Sequence, residues 1–289
     1  MPNLPDIKDA RYFQIAGQAT ILGVGLALRE FEITPLQIAA IGATCFLAQW
    51  AGTALNAMRF DWRSPLITTL SLSLLLRADG LLPLMIAAAI AIGSKFALRL
   101  NNKHIFNPAN AGIVAMLLTT DAAWTTPGQW GTALWFAIFI ALAGALVTYK
   151  ATRLDVPLIF LGAYAFLLFA RALWLGDPLA IPLLRLQNGA LILFAFFMIS
   201  DPKTTPDGKA LRAAFSAGAA LIAYVLTFHF YVTDGLFYAL AMMCLIRPLI
   251  ELFDIAPRYQ WGDRPRRAES LRKHVSHSTG RAPRPAPAE

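Results

Sequence analysis

The chain of 289 residues contains few charged side chains. Asp, Glu, Lys and Arg make up 15% of the sequence, whereas a soluble domain usually has about 25%. Hydrophobic residues account for 57%, above the roughly 45–50% of a soluble domain. This composition excludes an ordinary soluble domain and predicts an all-α integral membrane protein.

Cysteine is nearly absent as well. Cys45 and Cys244 lie far apart, each alone in an apolar segment, which argues against a disulfide framework, a CxxC motif or an iron–sulfur cluster. No GxGxxG motif follows a predicted strand, so a dinucleotide-binding fold is not expected. The sequence predicts no metal site and no catalytic group.

Apolar segments close to the ~20 residues that cross a bilayer recur along the chain. We predict ten of them, at residues 13–28, 34–52, 65–76, 81–98, 106–120, 130–149, 155–175, 182–199, 211–231 and 235–253. The third and fifth are short, and the eighth begins after Pro182 and ends at Asp201-Pro202. Because proline is tolerated in the first turn of a helix and disfavours helix before it, these positions predict short or broken helices beside a cavity.

Basic residues are distributed unevenly between the two sides that ten crossings define. One side carries both termini and Lys8, Arg11, Arg59, Arg63, Lys95, Arg99, Lys103, Lys150, Arg153, Lys203, Lys209, Arg212 and Arg247. The other side keeps Arg29, Arg77, Arg171 and Arg185. The positive-inside rule then predicts that both termini lie in the cytoplasm. The net charge of +8 reflects this topology and a basic tail, not nucleic-acid binding.

The sequence divides into three parts. Residues 1–12 form a cytoplasmic N-terminus without the features of a signal peptide, and residues 13–254 form the membrane domain. Residues 255–289 form a basic tail with little apolar content, which we expect to be disordered or to lie on anionic lipid. Within the membrane domain, residues 13–120 and 130–254 follow the same order of segments. An odd number of crossings in each half predicts two inverted repeats.

Two polar runs separate apolar segments, at residues 95–112 and 200–208. Unsatisfied polar groups are costly in lipid, so these runs must face water, each other or a bound molecule. Asn107-Pro108 predicts the capped start of a short helix, and a helix N-terminus beside basic side chains attracts anions. The candidate cofactor-binding residues are Arg99, Lys103, His104, Asn107, Asn110, Asp201 and Thr204.

Simpler interpretations of the same residues stay open. Arg99 and Lys103 could anchor the chain at the membrane surface, and Asn107 could serve only as a helix cap. Asp201 could simply close a turn with the residues after it. A carboxylate at the end of a broken helix is equally a candidate for a gate, a cation site or a hydrogen bond to a cofactor.

Two motifs stand out in combination. The first is Ser94-Lys95, Arg99, His104-Ile-Phe-Asn107-Pro108-Ala109 and Gly112, and the second is Phe197-Met198-Ile-Ser-Asp201-Pro202 with Thr204. Together they resemble the family that contains the D subunit of the Rnf complex and the B subunit of the sodium-pumping NADH:quinone oxidoreductase. Stand-alone relatives found near enediyne biosynthesis genes are similar too. The similarity extends from Arg11 to about Asp254 and leaves out the basic tail.

This resemblance implies ten helices in two inverted repeats of five, in a fold related to urea-transporter-like channels. It implies a flavin (FMN or riboflavin) inside the membrane and electron transfer across the membrane, coupled in the large complexes to Na⁺ or H⁺ movement. The chain would be a redox subunit rather than a complete enzyme, with flavin proteins, iron–sulfur proteins or a quinone as partners. Asn107 matches the family Asn-Pro near the flavin, and His104 and Arg99 match the polar positions before it. Asp201 and Thr204 match the end of the eighth helix.

One family motif differs in this chain. In the large complexes a Ser-Gly-Ala-Thr motif follows the fifth helix, and its Thr holds FMN through a phosphoester bond. The corresponding residues here are Pro127-Gly-Gln-Trp-Gly-Thr132, so larger residues precede Thr132. The difference predicts a flavin held without a covalent bond. Trp124, Trp130 and Trp135 could stack on its ring or could belong to an interfacial belt.

Two other functions fit the sequence. A channel or carrier for a small solute, with a urea-transporter-like fold and no redox cofactor, would use the same inverted repeats and broken helices. A scaffold would only dock partner subunits through the basic tail. Solute flux through protein that lacks flavin would favour the first. Intact complexes after deletion of the residues beyond about Pro257 would count against the second.

Overall fold

The computed structural model describes residues 9–29, 31–100, 103–131, 133–254, 256 and 259. In these ranges the chain forms eleven α-helices: α1 (Ala10–Leu28), α2 (Pro35–Leu55), α3 (Arg63–Leu75), α4 (Leu82–Ala97), α5 (Pro108–Thr119), α6 (Leu134–Lys150), α7 (Asp155–Leu175), α8 (Ala180–Leu186), α9 (Gly189–Leu193), α10 (Lys209–Phe228) and α11 (Gly235–Ile250). Four short strands form two antiparallel pairs, β1 (Leu76–Ala78) with β4 (Ala123–Thr125) and β2 (Arg99–Leu100) with β3 (Lys103–His104). The expected N-terminal segment and most of the expected basic tail lie outside the described residues.

The prediction of an all-α membrane fold is confirmed, with one correction at the eighth segment. That segment consists of α8 and α9, and α9 continues as a π-helical turn over Phe194–Met198. The two parts are bent by 51°. Asn188 lies at the bend with ψ of 121°, and its side chain accepts a hydrogen bond from the Ala190 amide at 2.8 Å, so it caps a new helix. The expectation that this helix begins after Pro182 was wrong, because α8 already includes Pro182.

The helices differ in how much of a membrane they can cross. By length and composition α2, α7 and α10 are able to span it, and the bent pair of α8 with α9 and its π-helical turn forms a fourth apolar segment. The apolar helices α4, α5, α6 and α11 have only 10–17 residues. The 12 residues of α5 extend about 18 Å, which is shorter than the ~30 Å hydrocarbon core. The short helix predicted at Asn107-Pro108 is therefore present.

Helix packing follows the same order in the two halves of the chain. In the first half α3 packs on α1 and α2, α2 packs on α4, and α4 packs on α5. In the second half α9 packs on α6, its π-helical turn packs on α7, α7 packs on α10, and α10 packs on α11. Contacts of α1 with α6 and of α5 with α11 join the halves. This order agrees with a repeat of five segments.

The two halves run in opposite directions. In the last turn of α4, Lys95 donates to Gln49 near the end of α2, so α2 and α4 end on the same side. Arg212 in the first turn of α10 pairs with Asp155, the first residue of α7, so those two helices begin on one side. Lys103, which follows α4, pairs with Asp207, which lies just before α10, so α4 ends on the side where α10 begins, as inverted repeats require.

Candidate functional site

A polar cavity lies where both polar runs meet the first and third helices. Its volume is about 90 Å³. The cavity is lined by Arg11 and Gln14 of α1, by Ser64, Ile67, Thr68 and Ser71 of α3, by His104 of β3, by Asn107, Pro108 and Ala109 at the start of α5, by Phe197 of the π-helical turn, and by Asp201 and Lys203 after that turn. Side chains from both halves of the chain therefore share one polar space.

Asp201 brings the two sequence motifs together. Its carboxylate Oδ2 lies 3.5 Å from His104 Nε2 and 3.5 Å from Asn107 Nδ2. The Asn107 amide also lies 3.4 Å from the carbonyl oxygen of Met198. These distances are at the long limit for hydrogen bonds, so the amide and the imidazole can turn to another partner in the cavity.

Local capping fixes the position of Asn107. Its backbone is extended, with ψ of 126°, and its Oδ1 accepts a hydrogen bond from the Asn110 amide at 3.2 Å. Pro108 follows in the first turn, where its missing N–H costs nothing. The predicted N-cap role of Asn107 is confirmed, and it leaves the side-chain NH₂ free to point at Asp201.

A tight turn fixes the position of Asp201. Its Oδ1 accepts from the Lys203 amide at 2.9 Å, and its carbonyl accepts from the Thr204 and Thr205 amides at 3.0 and 3.1 Å. Burial raises the pKa of the Asp201 carboxyl, but the hydrogen bond and charge of His104 and the Lys203 amide outweigh burial, so this pKa lies below its usual range. Asp201 therefore presents a carboxylate to the cavity.

The wall formed by α1 was not predicted from the sequence. Arg11 and Gln14 line the cavity, and Gln18 donates to Ser71 Oγ at 2.9 Å. The spacing of these three α1 residues, at i, i+3 and i+7, places them on one helix face, and this pattern could have identified the wall. Gln18 Oε1 is buried without a hydrogen-bond partner among the described residues.

Four predicted binding residues do not line the cavity. Lys103 Nζ pairs with Asp207 Oδ2 at 2.6 Å and lies in a cluster of charged residues. Asn110 donates to the Phe237 carbonyl at 3.1 Å, which ties α5 to α11. The Thr204 hydroxyl donates back to the Asp201 carbonyl at 3.2 Å, and the Arg99 guanidinium lies 3.2 Å from Met58 Sδ.

The tryptophans considered for ring stacking lie at the other end of α1. Trp130 is buried and packs against Phe31 and Phe136, with ring centroids 4.9 and 6.0 Å apart. Arg29, which follows α1, donates to the Trp130 carbonyl at 3.3 Å. Trp124 and Trp135 are largely exposed near the same end, as an interfacial position requires. Thr132, the expected attachment residue, lies outside the described residues.

Comparison with known proteins agrees with the family resemblance over the second half of the chain, which contains the second motif. The family described as "NQR2, RnfD, RnfE family" matches residues 115–259, which include Asp201 and begin after Asn107. The D subunit of the ion-translocating oxidoreductase complex of Escherichia coli O1:K1 / APEC is 32% identical over 148 residues, which cover 50% of this chain and 38% of that protein. The same protein from Escherichia coli O9:H4 (strain HS) is 33% identical over 150 residues, with the same two shares.

The matched region thus spans about two fifths of the length of these curated relatives. It is narrower than the range from Arg11 to Asp254 over which the sequence resembles the family. It still comprises half of this chain, from within α5 to the residues that follow α11. The chain belongs to the NQR2, RnfD, RnfE family.

Proposed function

We propose that the protein is a membrane subunit of an ion-translocating oxidoreductase complex, and that its polar cavity holds a flavin without a covalent bond. The flavin, FMN or riboflavin, would carry electrons across the membrane. The observation that carries this proposal is the approach of Asn107 and His104 to Asp201, which joins the two family motifs in one cavity. The names of the relatives give independent support for a redox complex.

The groups that line the cavity suit one edge of a flavin ring. That edge carries two carbonyl oxygens and ring nitrogens that accept hydrogen bonds, and one N–H that donates. Arg11, Asn107 and Lys203 provide donors, Asp201 provides an acceptor, and Phe197 provides apolar surface. The cavity volume of about 90 Å³ is less than the roughly 300–1,000 Å³ of most ligand pockets, so the cavity would accept only one edge of the ring.

Each residue has a defined task in this proposal. When bound, the flavin supplies one- and two-electron transfer. Asn107 and His104 orient its polar edge, because caps and turns fix their backbones. Asp201 holds the imidazole and the amide in position, and Lys203 favours a negative charge in the cavity. We place no binding role on Lys103, Asn110 or Thr204, because none of them lines the cavity.

The first prediction concerns flavin content and the Asn107 amide. Asn107→Asp keeps an oxygen that can cap α5 but replaces the amide with a second carboxylate beside Asp201. We expect the flavin-to-protein ratio to fall by about tenfold or more, because a lost hydrogen bond and a like charge together cost more than the ~1.4 kcal/mol of a tenfold change. The measurement is the visible spectrum of acid extracts from purified protein.

Asn188→Asp is the matched control. Asn188 also caps a helix through its Oδ1 but does not line the cavity. It should retain the flavin content of the unmodified protein. Absence of flavin from every fraction of the unmodified protein would reject the proposed function, and equal loss in both variants would reject the role of Asn107.

A second prediction concerns covalent attachment. Larger residues precede Thr132 than in the family motif, so we expect a denaturing gel band without flavin fluorescence under ultraviolet light. A fluorescent band that disappears in the Thr132→Ala variant would contradict non-covalent binding and would identify Thr132 as the attachment residue.

The location of the protein and its partners belong to the same proposal. We place the chain in a bacterial inner membrane with the cavity end in the cytoplasm, because Arg11, Arg63, Lys95 and Lys203 lie at that end. Electrons would pass to or from flavin proteins, iron–sulfur proteins or a quinone, and Na⁺ or H⁺ movement would be coupled to them.

A small-solute channel or carrier is the second candidate function. The inverted packing order around a small polar cavity favours it, since this arrangement also serves solute transport. Liposomes that contain flavin-free protein distinguish the two functions. Solute flux from such liposomes, together with no flavin in freshly purified protein, would favour the channel.

A further inference from the structure

Lys95 points its ammonium group into the helix bundle. It lies in the last turn of α4, where a lysine usually extends towards the lipid headgroups. Instead, Lys95 Nζ donates to Gln49 Oε1 of α2 and to Ser64 Oγ of α3, both at 2.6 Å. The side chain therefore lies between three helices, behind the wall of the cavity that Ser64 lines.

The near partners of this ammonium group are neutral. Among the described residues no carboxylate lies within 4.0 Å of Lys95 Nζ, and the charges of Asp61, Arg99 and Asp201 act on it from farther away. A cation that leaves water without a paired anion is costly, and neutral dipoles compensate only part of that cost. An anion in the adjacent cavity would compensate the remaining part of this free-energy cost.

Ser64 connects Lys95 to the cavity. Its hydroxyl oxygen accepts the hydrogen bond from Lys95, so its hydrogen must point elsewhere. No described residue accepts that hydrogen, and Ser64 lines the cavity. A hydroxyl polarised by a cation is a stronger donor than a neutral one, because hydrogen bonds in a chain polarise one another.

We propose that Lys95 and Ser64 together form a charge-assisted donor that makes the cavity selective for an anionic ring or oxygen. The inference rests on the proposed flavin, and it assigns to Lys95 the electrostatic role that the sequence suggested for Arg99 and Lys103. Lys95 is a positioning residue, since it acts through Ser64. It favours the reduced, negatively charged form of the flavin over the neutral oxidised form.

The test is a redox titration of the flavin bound to the full chain, followed by visible absorbance. Lys95→Met keeps the length of the side chain and removes its charge. We expect the reduced form to bind about tenfold less tightly relative to the oxidised form, which lowers the midpoint potential of a two-electron couple by about 30 mV. Ser64→Ala should lower the potential in the same direction, and the double variant should add little to the larger single effect.

Lys150→Met is the matched control. Lys150 also lies in the last turn of a helix at the cavity end, but its ammonium group lies over Phe13, 5.1 Å from the ring centroid, and does not line the cavity. Its removal should leave the potential unchanged. An unchanged midpoint potential in Lys95→Met would overturn this inference but not the proposed function. If Lys95→Met does not fold, an unchanged potential in Ser64→Ala would do the same. Absence of flavin from the unmodified protein would instead reject the proposed function, and this inference with it.

Discussion

Replacing Asp207 with asparagine is expected to lower the free energy of unfolding by about 3–5 kcal/mol. The Asp207 carboxylate accepts from Lys103 Nζ at 2.6 Å, from Arg153 at 2.9 Å and from the Tyr259 amide at 3.2 Å. All three charged side chains are only 5–6% exposed. Removing the negative charge would leave two buried cations, and Glu251, 3.0 Å from Lys103, would be the one carboxylate among the described residues still in contact with them.

The measurement is unfolding by denaturing detergent in mixed micelles, followed by circular dichroism. Asp177→Asn is the matched control, since the Arg171–Asp177 pair has side chains that are 33% and 35% exposed. We expect this control to lose less than about 1 kcal/mol, as is usual for exposed pairs. Equal losses of unfolding free energy in the two variants would show that the buried ion pairs of Asp207 stabilise the protein no more than the exposed Arg171–Asp177 pair.

The same variant should also affect the cavity. Lys103 precedes His104 in β3, and Arg247 donates to the carbonyl oxygens of His104 and Lys203, both at 3.0 Å. The charged cluster thus holds both loops that carry the cavity residues. We therefore expect Asp207→Asn to lose flavin together with stability, whereas Asp177→Asn should retain it.

Hydropathy predicted the helices well because the length of an apolar segment is a local property of the sequence. The segment predicted at residues 155–175 is α7 (Asp155–Leu175), and the segment predicted at residues 34–52 is α2 (Pro35–Leu55). Asn107-Pro108 and the Asp201 turn were predicted for the same reason, since caps and turns depend on neighbouring residues. Broken helices were predicted, but the break in the eighth segment was not placed at Asn188, although Asn188-Gly189 is a local turn signal.

The partners of polar residues could not be predicted from the sequence in this way. Lys103 was expected at a flavin or at the membrane surface, but its partners Asp207 and Glu251 lie 104 and 148 positions away. Tertiary packing, including that of α11 against α5, brings these residues together. The short strands β1 and β4 also escaped prediction, because three residues are too few to show an alternating pattern.

Replacing Gly112 with alanine is expected to destabilise the protein by about 1–3 kcal/mol through overpacking. Gly112 lies in α5 against α4, and a Cβ atom there would lie 2.4 Å from the backbone oxygen of Ala87 and 3.0 Å from Ala91 Cβ. A backbone atom cannot rotate away as a side chain can, so the two helices must separate. Close packing of this kind is how small residues hold membrane helices together.

Gly93→Ala is the matched control, because a Cβ atom at Gly93 of α4 meets nothing within 4 Å. There alanine should stabilise the helix by about 0.5–1 kcal/mol, so the stability changes of the two glycine variants should have opposite signs.

The cavity adds a second readout, since α5 begins at Pro108, directly after the cap at Asn107. Moving α5 away from α4 shifts the Asn107 amide relative to Asp201 without changing either residue. Gly112→Ala should therefore lose flavin that Gly93→Ala retains, and retention in both would show that the position of α5 does not set binding.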